Sequence, residues 1–253
     1  MRRKLVLGNW KMHGSQASIQ SLVNGLKASG LENAQNVDVG VFPTLLHIPQ
    51  VVSELAGSAI AIGAQNGNAA EQGAFTGEVS VSMLLEAGAT YCLVGHSERR
   101  ELFAETDAVV AEKFAASQAA GLIPVLCVGE SLPEREQGLT SQVVIAQLDA
   151  VLDRVGVEAL AKAVIAYEPL WAIGTGKTAS PEQAQAVHKS LRDHVAANSE
   201  HIAQGVRLIY GGSVKSANAA ELFKQADIDC GLVGGASLSA DEFIAICKSA
   251  DIK

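Results

Sequence analysis

Ala163-Val164-Ile165-Ala166-Tyr167-Glu168-Pro169-Leu170-Trp171-Ala172-Ile173-Gly174-Thr175-Gly176-Lys177-Thr178 decides how this chain folds. Its first four residues are apolar on consecutive positions, the pattern of a strand buried on both faces. Glu168 stands where that strand would leave the core. A loop follows, stiffened at the front by Pro169, loosened in the middle by Gly174 and Gly176, and closed by Lys177-Thr178. A carboxylate at a strand end beneath a glycine-hinged loop reads as a base under a lid. Such a base has a purpose only if other strand ends bring a substrate to it.

Seven further runs share the pattern: Leu5–Leu7, Val37–Phe42, Ala59–Gly63, Tyr91–Val94, Ile123–Val128, Arg207–Tyr210 and Gly231–Val233. Helix-period segments lie between them, including Asp107–Ala120 and Thr140–Val155. Ser180-Pro181-Glu182-Gln183 opens another with a capping Ser, Pro in the first turn and acidic support. Ser237–Lys248 closes the chain, with Ser239 and Glu242 spaced for a capping box. Alternating strands and helices imply a parallel sheet with right-handed crossovers. Eight such units predict an α/β fold of the (β/α)8 TIM barrel type, in which eight parallel strands sit inside a ring of helices as one domain over residues 1–253. An open doubly wound sheet would gather its ligand at one switch point. Here the unusual polar residues follow the first, fourth, sixth, seventh and eighth strands, so they converge from much of a ring. Barrels carry their catalytic residues at those C-terminal strand ends.

Composition narrows the function. The 253 residues are 48% apolar and 18% charged, a globular balance, with a formal charge of −8. That charge excludes a general affinity for nucleic acid, which needs clustered Lys and Arg, so an anionic substrate must be drawn by a local positive site. Cys92, Cys127, Cys230 and Cys247 form no C-x-x-C pair and read as reduced, buried thiols. The N-terminal apolar run is only Leu5-Val6-Leu7, too short for an export signal, and no window reaches the ~18 apolar residues of a membrane span. The expectation is a cytoplasmic protein with no membrane partner.

Several strand ends carry chemistry. Gly8-Asn9-Trp10-Lys11 puts a lysine at the mouth, where its ammonium would attract an anion. Gly95-His96-Ser97-Glu98-Arg99-Arg100 puts His96 before a helix start, whose positive end should keep the ring neutral and a hydrogen-bond donor. Glu98 could pair with Lys11 or Arg99. Glu168 is the stronger base, since burial should raise its pKa toward neutrality; a plain strand-end Glu paired to a loop lysine is the bland reading. Tyr210-Gly211-Gly212-Ser213 and Val233-Gly234-Gly235-Ala236-Ser237 follow strands seven and eight, the place where barrels commonly bind phosphate, and glycine lets backbone N–H groups approach it closely. Gly176-Lys177-Thr178 is not a P-loop, because Trp171 occupies the position of its first glycine. Asp227 and Asp229 lack a third ligand at useful spacing, so no metal is expected. His188 and His194 read as surface residues of a helix.

With these motifs assembled, the chain resembles the triosephosphate isomerase family from end to end. Gly8–Met12, Phe75-Thr76-Gly77-Glu78, Gly95–Arg100, Ala166–Thr178, Tyr210–Ser213 and Leu232–Ser237 match its motifs in order. That family is itself the familiar case of a Glu base and a neutral His electrophile beneath a water-excluding loop. The resemblance implies cofactor-free interconversion of dihydroxyacetone phosphate and glyceraldehyde 3-phosphate, a step of glycolysis and gluconeogenesis. It implies that Glu168 is the base, that His96 moves protons between the substrate oxygens, and that Asn9 and Lys11 stabilise negative charge. Gly174, Ser213, Gly234 and Gly235 would hold the phosphate, and Glu98 would orient Lys11. It also implies a homodimer in which the segment 65–78, with Phe75 and Thr76 near its tip, enters the partner subunit. His13, Leu170 and Cys230 depart from common family residues without touching a chemical role. Two other readings compete. A retaining glycosidase could recruit Glu98 and Glu168, but leaves Lys11 and the glycine pairs unexplained. A barrel that binds phosphorylated metabolites without turnover would not need Glu168, His96 and Lys11 together.

Overall fold

The computed structural model describes residues 2–31, 34–174 and 177–251. Eight strands, β1 (Lys4–Asn9), β2 (Val37–Phe42), β3 (Ala61–Ala64), β4 (Tyr91–Val94), β5 (Ile123–Val128), β6 (Val164–Tyr167), β7 (Arg207–Tyr210) and β8 (Cys230–Val233), close in chain order into a parallel barrel. The ring is sealed where Leu5–Gly8 of β1 pair with Cys230–Val233 of β8. The expected barrel is therefore the observed one, with helices packed around it.

Strand limits shift where a local hydrogen bond outweighs an apolar residue. β3 starts at Ala61 rather than Ala59, because the Ser58 hydroxyl takes the Ile60 amide at 3.3 Å and keeps those residues in a turn. Ala163 stays outside β6, its amide donating to Leu160 at the end of a 3-10 turn, whereas Tyr167 joins the ladder opposite Val128 and Tyr210. The last helix runs Ala240–Ala250, with Ser239 as its cap and Ser237 in a 3-10 turn before it. The Ser239 hydroxyl accepts the Glu242 amide at 3.5 Å, but no capping box closes. The Glu242 carboxylate reaches instead to the amide and hydroxyl of Ser216 at the start of the helix Ser216–Phe223.

Why the strands read as continuous apolar runs is now plain. Leu5, Leu7, Phe42, Tyr91, Leu93, Val125, Cys127, Val164, Ala166, Ile209 and Leu232 fill the barrel interior. Their chain neighbours Val6, Val41, Cys92, Leu126, Ile165 and Leu208 face the helices. Both faces are buried, so neither is polar. Small residues make room for large ones inside: a side chain on Gly63 would begin 2.1 Å from the Phe42 ring, and one on Gly40 would begin 2.9 Å from Leu7. At the N-terminal end of the barrel Arg207 pairs with Asp38 at 2.9 Å. At the opposite end the alternation continues past the last ladder residues. In β6 the inward positions 164 and 166 are followed by 168, and in β1 positions 5 and 7 are followed by 9. The two-residue period alone thus aims Glu168 and Asn9 into the barrel mouth.

Candidate active site

A cavity of about 440 Å³ opens at that mouth, lined among others by Asn9, Lys11, His96, Glu168, Gly174, Ser213, Gly234 and Gly235. All eight residues expected to touch a substrate therefore border one space. Gly176 lies outside the described residues.

Lys11 adopts φ 50°, a left-handed conformation that a non-glycine residue rarely holds without support. Support comes from both sides of the residue. Its amide donates to Asn9 Oδ1 at 3.0 Å, and its carbonyl accepts from Gln65 Nε2 at 2.7 Å. Gln65 also donates to the Phe42 carbonyl at 2.9 Å, so one amide group ties β2 to the lysine. The Lys11 ammonium is paired with the Glu98 carboxylate.

His96 caps the helix Ser97–Leu102, its Nδ1 accepting the Glu98 amide at 3.2 Å. Its Nε2 lies 3.0 Å from Glu168 Oε1, and the Ser97 amide donates to Glu168 Oε2 at 2.9 Å. Glu168, 2% exposed, is thus held by two donors. Burial pushes its pKa up, but His96, the Ser97 amide and Lys11 together pull it below the ordinary carboxylate value. This corrects the expectation of a raised pKa, which counted desolvation and not the donors it comes with. For His96, burial lowers the pKa and the facing Glu168 carboxylate raises it, with a net upward direction. The hydrogen bonds set the tautomer: an Nδ1 that accepts an amide cannot carry a proton, so the ring is neutral here and donates from Nε2.

Glycines shape the walls around Glu168. A side chain on Gly129 would begin 1.8 Å from the Glu168 carbonyl oxygen, and one on Gly211 would begin 2.8 Å from Glu168 Cγ. Gly235 starts the 3-10 turn Gly235–Leu238, and the first amides of a helical turn lack partners within it. Ser213 lines the same cavity. His13 and Lys215 also border the cavity.

Sequence reasoning missed Gln65, Gly129 and the Ser97 amide as parts of the site. The Ser97 contact is made by the backbone and leaves no mark in residue type. One side reading needs revision. His188 is fully buried, not a surface residue, and His194 is half-buried against Asp149 at 2.5 Å. Asp227 and Asp229 are occupied by Arg192, at 2.7 and 2.9 Å. Among the described residues no group of three or more His, Cys, Asp or Glu is arranged to hold a metal.

Beside the mouth lies a second cavity of about 480 Å³, sharing Asn9, Lys11 and His96 and bordered by Thr44, Gln65, Glu98 and Phe103. Its surroundings are unusually apolar for a surface, with Met12 91%, Leu46 86% and Leu102 71% exposed. Phe75 is 51% exposed on the 65–78 segment, which turns tightly where the Glu78 amide donates to the Phe75 carbonyl at 2.9 Å.

Comparison with known proteins agrees with this geometry. The family model for triosephosphate isomerase matches residues 4–250. Relatives named triosephosphate isomerase include one from Pseudomonas fluorescens, 58% identical over 99% of both chains. Another, from Thiobacillus denitrificans, is 59% identical over 99% of both chains. A third, from Dechloromonas aromatica, is 59% identical over 99% of this chain and 100% of its own. With a match over nearly its whole length and relatives more than half identical across it, the chain belongs to the triosephosphate isomerase family.

Proposed function

We propose that Glu168, His96, Lys11 and Asn9 carry out a cofactor-free interconversion of dihydroxyacetone phosphate and D-glyceraldehyde 3-phosphate. Family membership makes the chain an aldose–ketose isomerase of glycolysis and gluconeogenesis; the division of labour among residues is our reading. Its main support is the register of β1 and β6, which aims Asn9 and Glu168 at the same cavity as Lys11, His96 and the paired-glycine loops.

Glu168 removes a proton from the carbon beside the carbonyl and returns it to the neighbouring carbon. His96 donates its Nε2 proton to the carbonyl oxygen as negative charge develops there and recovers a proton from the adjacent hydroxyl, so protons balance over the cycle. The Lys11 ammonium and the Asn9 amide stabilise the enediolate. Gly174, Ser213, Gly234 and Gly235 bind the phosphate, and Glu98 orients Lys11. For the base to act, Glu168 must leave His96 and Ser97, which frees the His96 N–H for substrate and removes the donors that hold its pKa down. The loop over the mouth excludes water from an enediolate that would otherwise lose its phosphate.

Residues 1–253 act as one barrel domain in this reading. It is a homodimer in which Phe75 and Thr76 enter the partner's cavity beside Lys11, a reading supported by that cavity's volume and apolar rim. Four buried, unpaired thiols support a reducing, cytoplasmic setting.

The deciding test is Glu168→Gln in a coupled assay on dihydroxyacetone phosphate. We expect kcat to fall roughly 10²–10⁴-fold and solvent exchange of the substrate C1 hydrogen to be lost, with inorganic phosphate still bound. Unchanged turnover would overturn Glu168 as the base. A barrel that only binds phosphorylated metabolites would show no turnover in the parent protein.

A further inference from the structure

The helix Pro181–Asn198 buries a histidine that the proposed chemistry does not use. His188 Nδ1 lies 3.2 Å from the Asp227 carbonyl oxygen, which accepts its proton and leaves Nε2 bare. The imidazole meets Tyr167 edge to face, with centroids 5.8 Å apart at 84°, and lies 6.5 Å from the Tyr210 ring. Tyr167 and Tyr210 are 6.3 Å apart. The three rings therefore form a closed triangle behind the ends of β6 and β7.

Each tyrosine hands this packing on to the site. Tyr167 is bonded in sequence to Glu168, and its hydroxyl donates to Glu130 Oε1 at 3.0 Å. Trp171, at the front of the loop over the mouth, donates to the same oxygen at 2.9 Å and stacks under Arg135 at 4.5 Å. Tyr210 precedes the first glycine pair, and its hydroxyl lies where a side chain on Gly212 would begin, 2.2 Å away. Pro169, directly after Glu168, is 3.0 Å from that same point. One imidazole thus braces both the residue before the base and the residue before the anion-binding turn. Glu130 Oε2 and His188 Nε2 are buried without hydrogen-bond partners in this cluster, and the Tyr210 hydroxyl takes the Ala179 amide. Unpaired buried polar atoms are costly, so the ring packing here is held at the expense of two hydrogen bonds.

We propose that His188 is a positioning residue of the isomerase reaction: its ring fixes Tyr167 and Tyr210, and through them the Glu168 carboxylate relative to the phosphate-binding turn. The proposal rests on Glu168 being the base. Two variants separate the ring from its hydrogen bond. His188→Phe keeps an aromatic wedge and loses the N–H, and Asp227's carbonyl retains Arg192 at 3.3 Å. His188→Gln keeps an N–H donor and loses the ring.

The measurement is kcat and KM in both directions, inhibition by inorganic phosphate, phosphate released per turnover, and melting temperature, with Glu168→Gln run alongside. Misplacement of a catalytic group by about 1 Å can cost about 10²-fold. For His188→Gln we expect a kcat loss of about tenfold or more, KM and phosphate inhibition within about twofold, and more phosphate released per turnover. His188→Phe should restore kcat to within about threefold of the parent. A His188→Gln enzyme that melts earlier yet keeps its kcat would reduce His188 to a structural role. Equal kcat losses in both variants would overturn the ring-packing argument. If Glu168→Gln keeps full turnover, the base assignment fails first, whatever the His188 variants do.

Discussion

One methyl group is enough to crowd Glu168. Gly211 leaves no room for a side chain, since a Cβ there would begin 2.8 Å from Glu168 Cγ and 3.2 Å from the Tyr167 carbonyl oxygen. Gly211→Ala must therefore move either the carboxylate or the strand end that carries it. We expect kcat to drop by about 10–100-fold with a much smaller change in phosphate inhibition; a variant with parental kcat would show that Glu168 has more latitude than the contacts allow. Asn9, Lys11, His96 and Glu168 were legible because a polar side chain stands out at the end of an apolar run. The Ser97 amide and the absent side chain of Gly129 were not, because backbone donors and empty space have no residue-type signature. The pKa of Glu168 was misread for the same reason: burial is visible in a sequence, whereas the donors that oppose it appear only when the ends of β4 and β6 meet at the barrel mouth.

At the level of elements, the helix Pro181–Asn198 shows both success and failure of sequence reading. Its start was legible, and the Ser180–Gln183 capping box is present, with Gln183 side-chain Oε1 accepting the Ser180 amide at 3.0 Å. His188 was misjudged from residue type, although its phase was available. Ala184, Val187, Leu191 and Val195 are buried with it on one helical stripe, the spacing of a core-facing side. Burial, opposed only partly by the Asp227 carbonyl, pushes the His188 pKa down from 6.5 to about 3. A depressed pKa means the unfolded chain binds a proton that the native state refuses, so the stability from this group is present above about pH 6.5 and is lost as pH falls toward 3. Within that window His188 should contribute a slope of about 1.4 kcal/mol per pH unit. His188→Phe should remove it, flattening the acid limb of unfolding free energy measured by denaturant titration. An unchanged limb would mean that other groups govern acid unfolding.

The whole barrel was the most legible level, because eight apolar runs separated by helical returns leave few alternatives and the polar strand ends choose between closed and open sheets. Strand limits shifted by one or two residues, as at β3, where Ser58 claims the Ile60 amide, and at β6, where a 3-10 turn holds Ala163. The proposed homodimer gives the exposed apolar rim a role. Phe75→Asp would place a charge where the proposed partner cavity is apolar, and should give a monomer by sedimentation with activity reduced at least about tenfold, since a well-packed aromatic contact often dominates an interface. A dimer of parental activity would remove Phe75 from the interface. Inside the barrel, Phe42 occupies the volume that a side chain on Gly63 would need, so two positions on neighbouring strands share a single allotment of space. Gly63→Ala alone should destabilise the protein by about 1–3 kcal/mol, while Gly63→Ala combined with Phe42→Leu should recover much of that loss if the two truly trade volume. Descendants of this sequence would then be free to exchange bulk between β2 and β3 only by changing both residues together, leaving a correlated pair as the historical trace of a shared void.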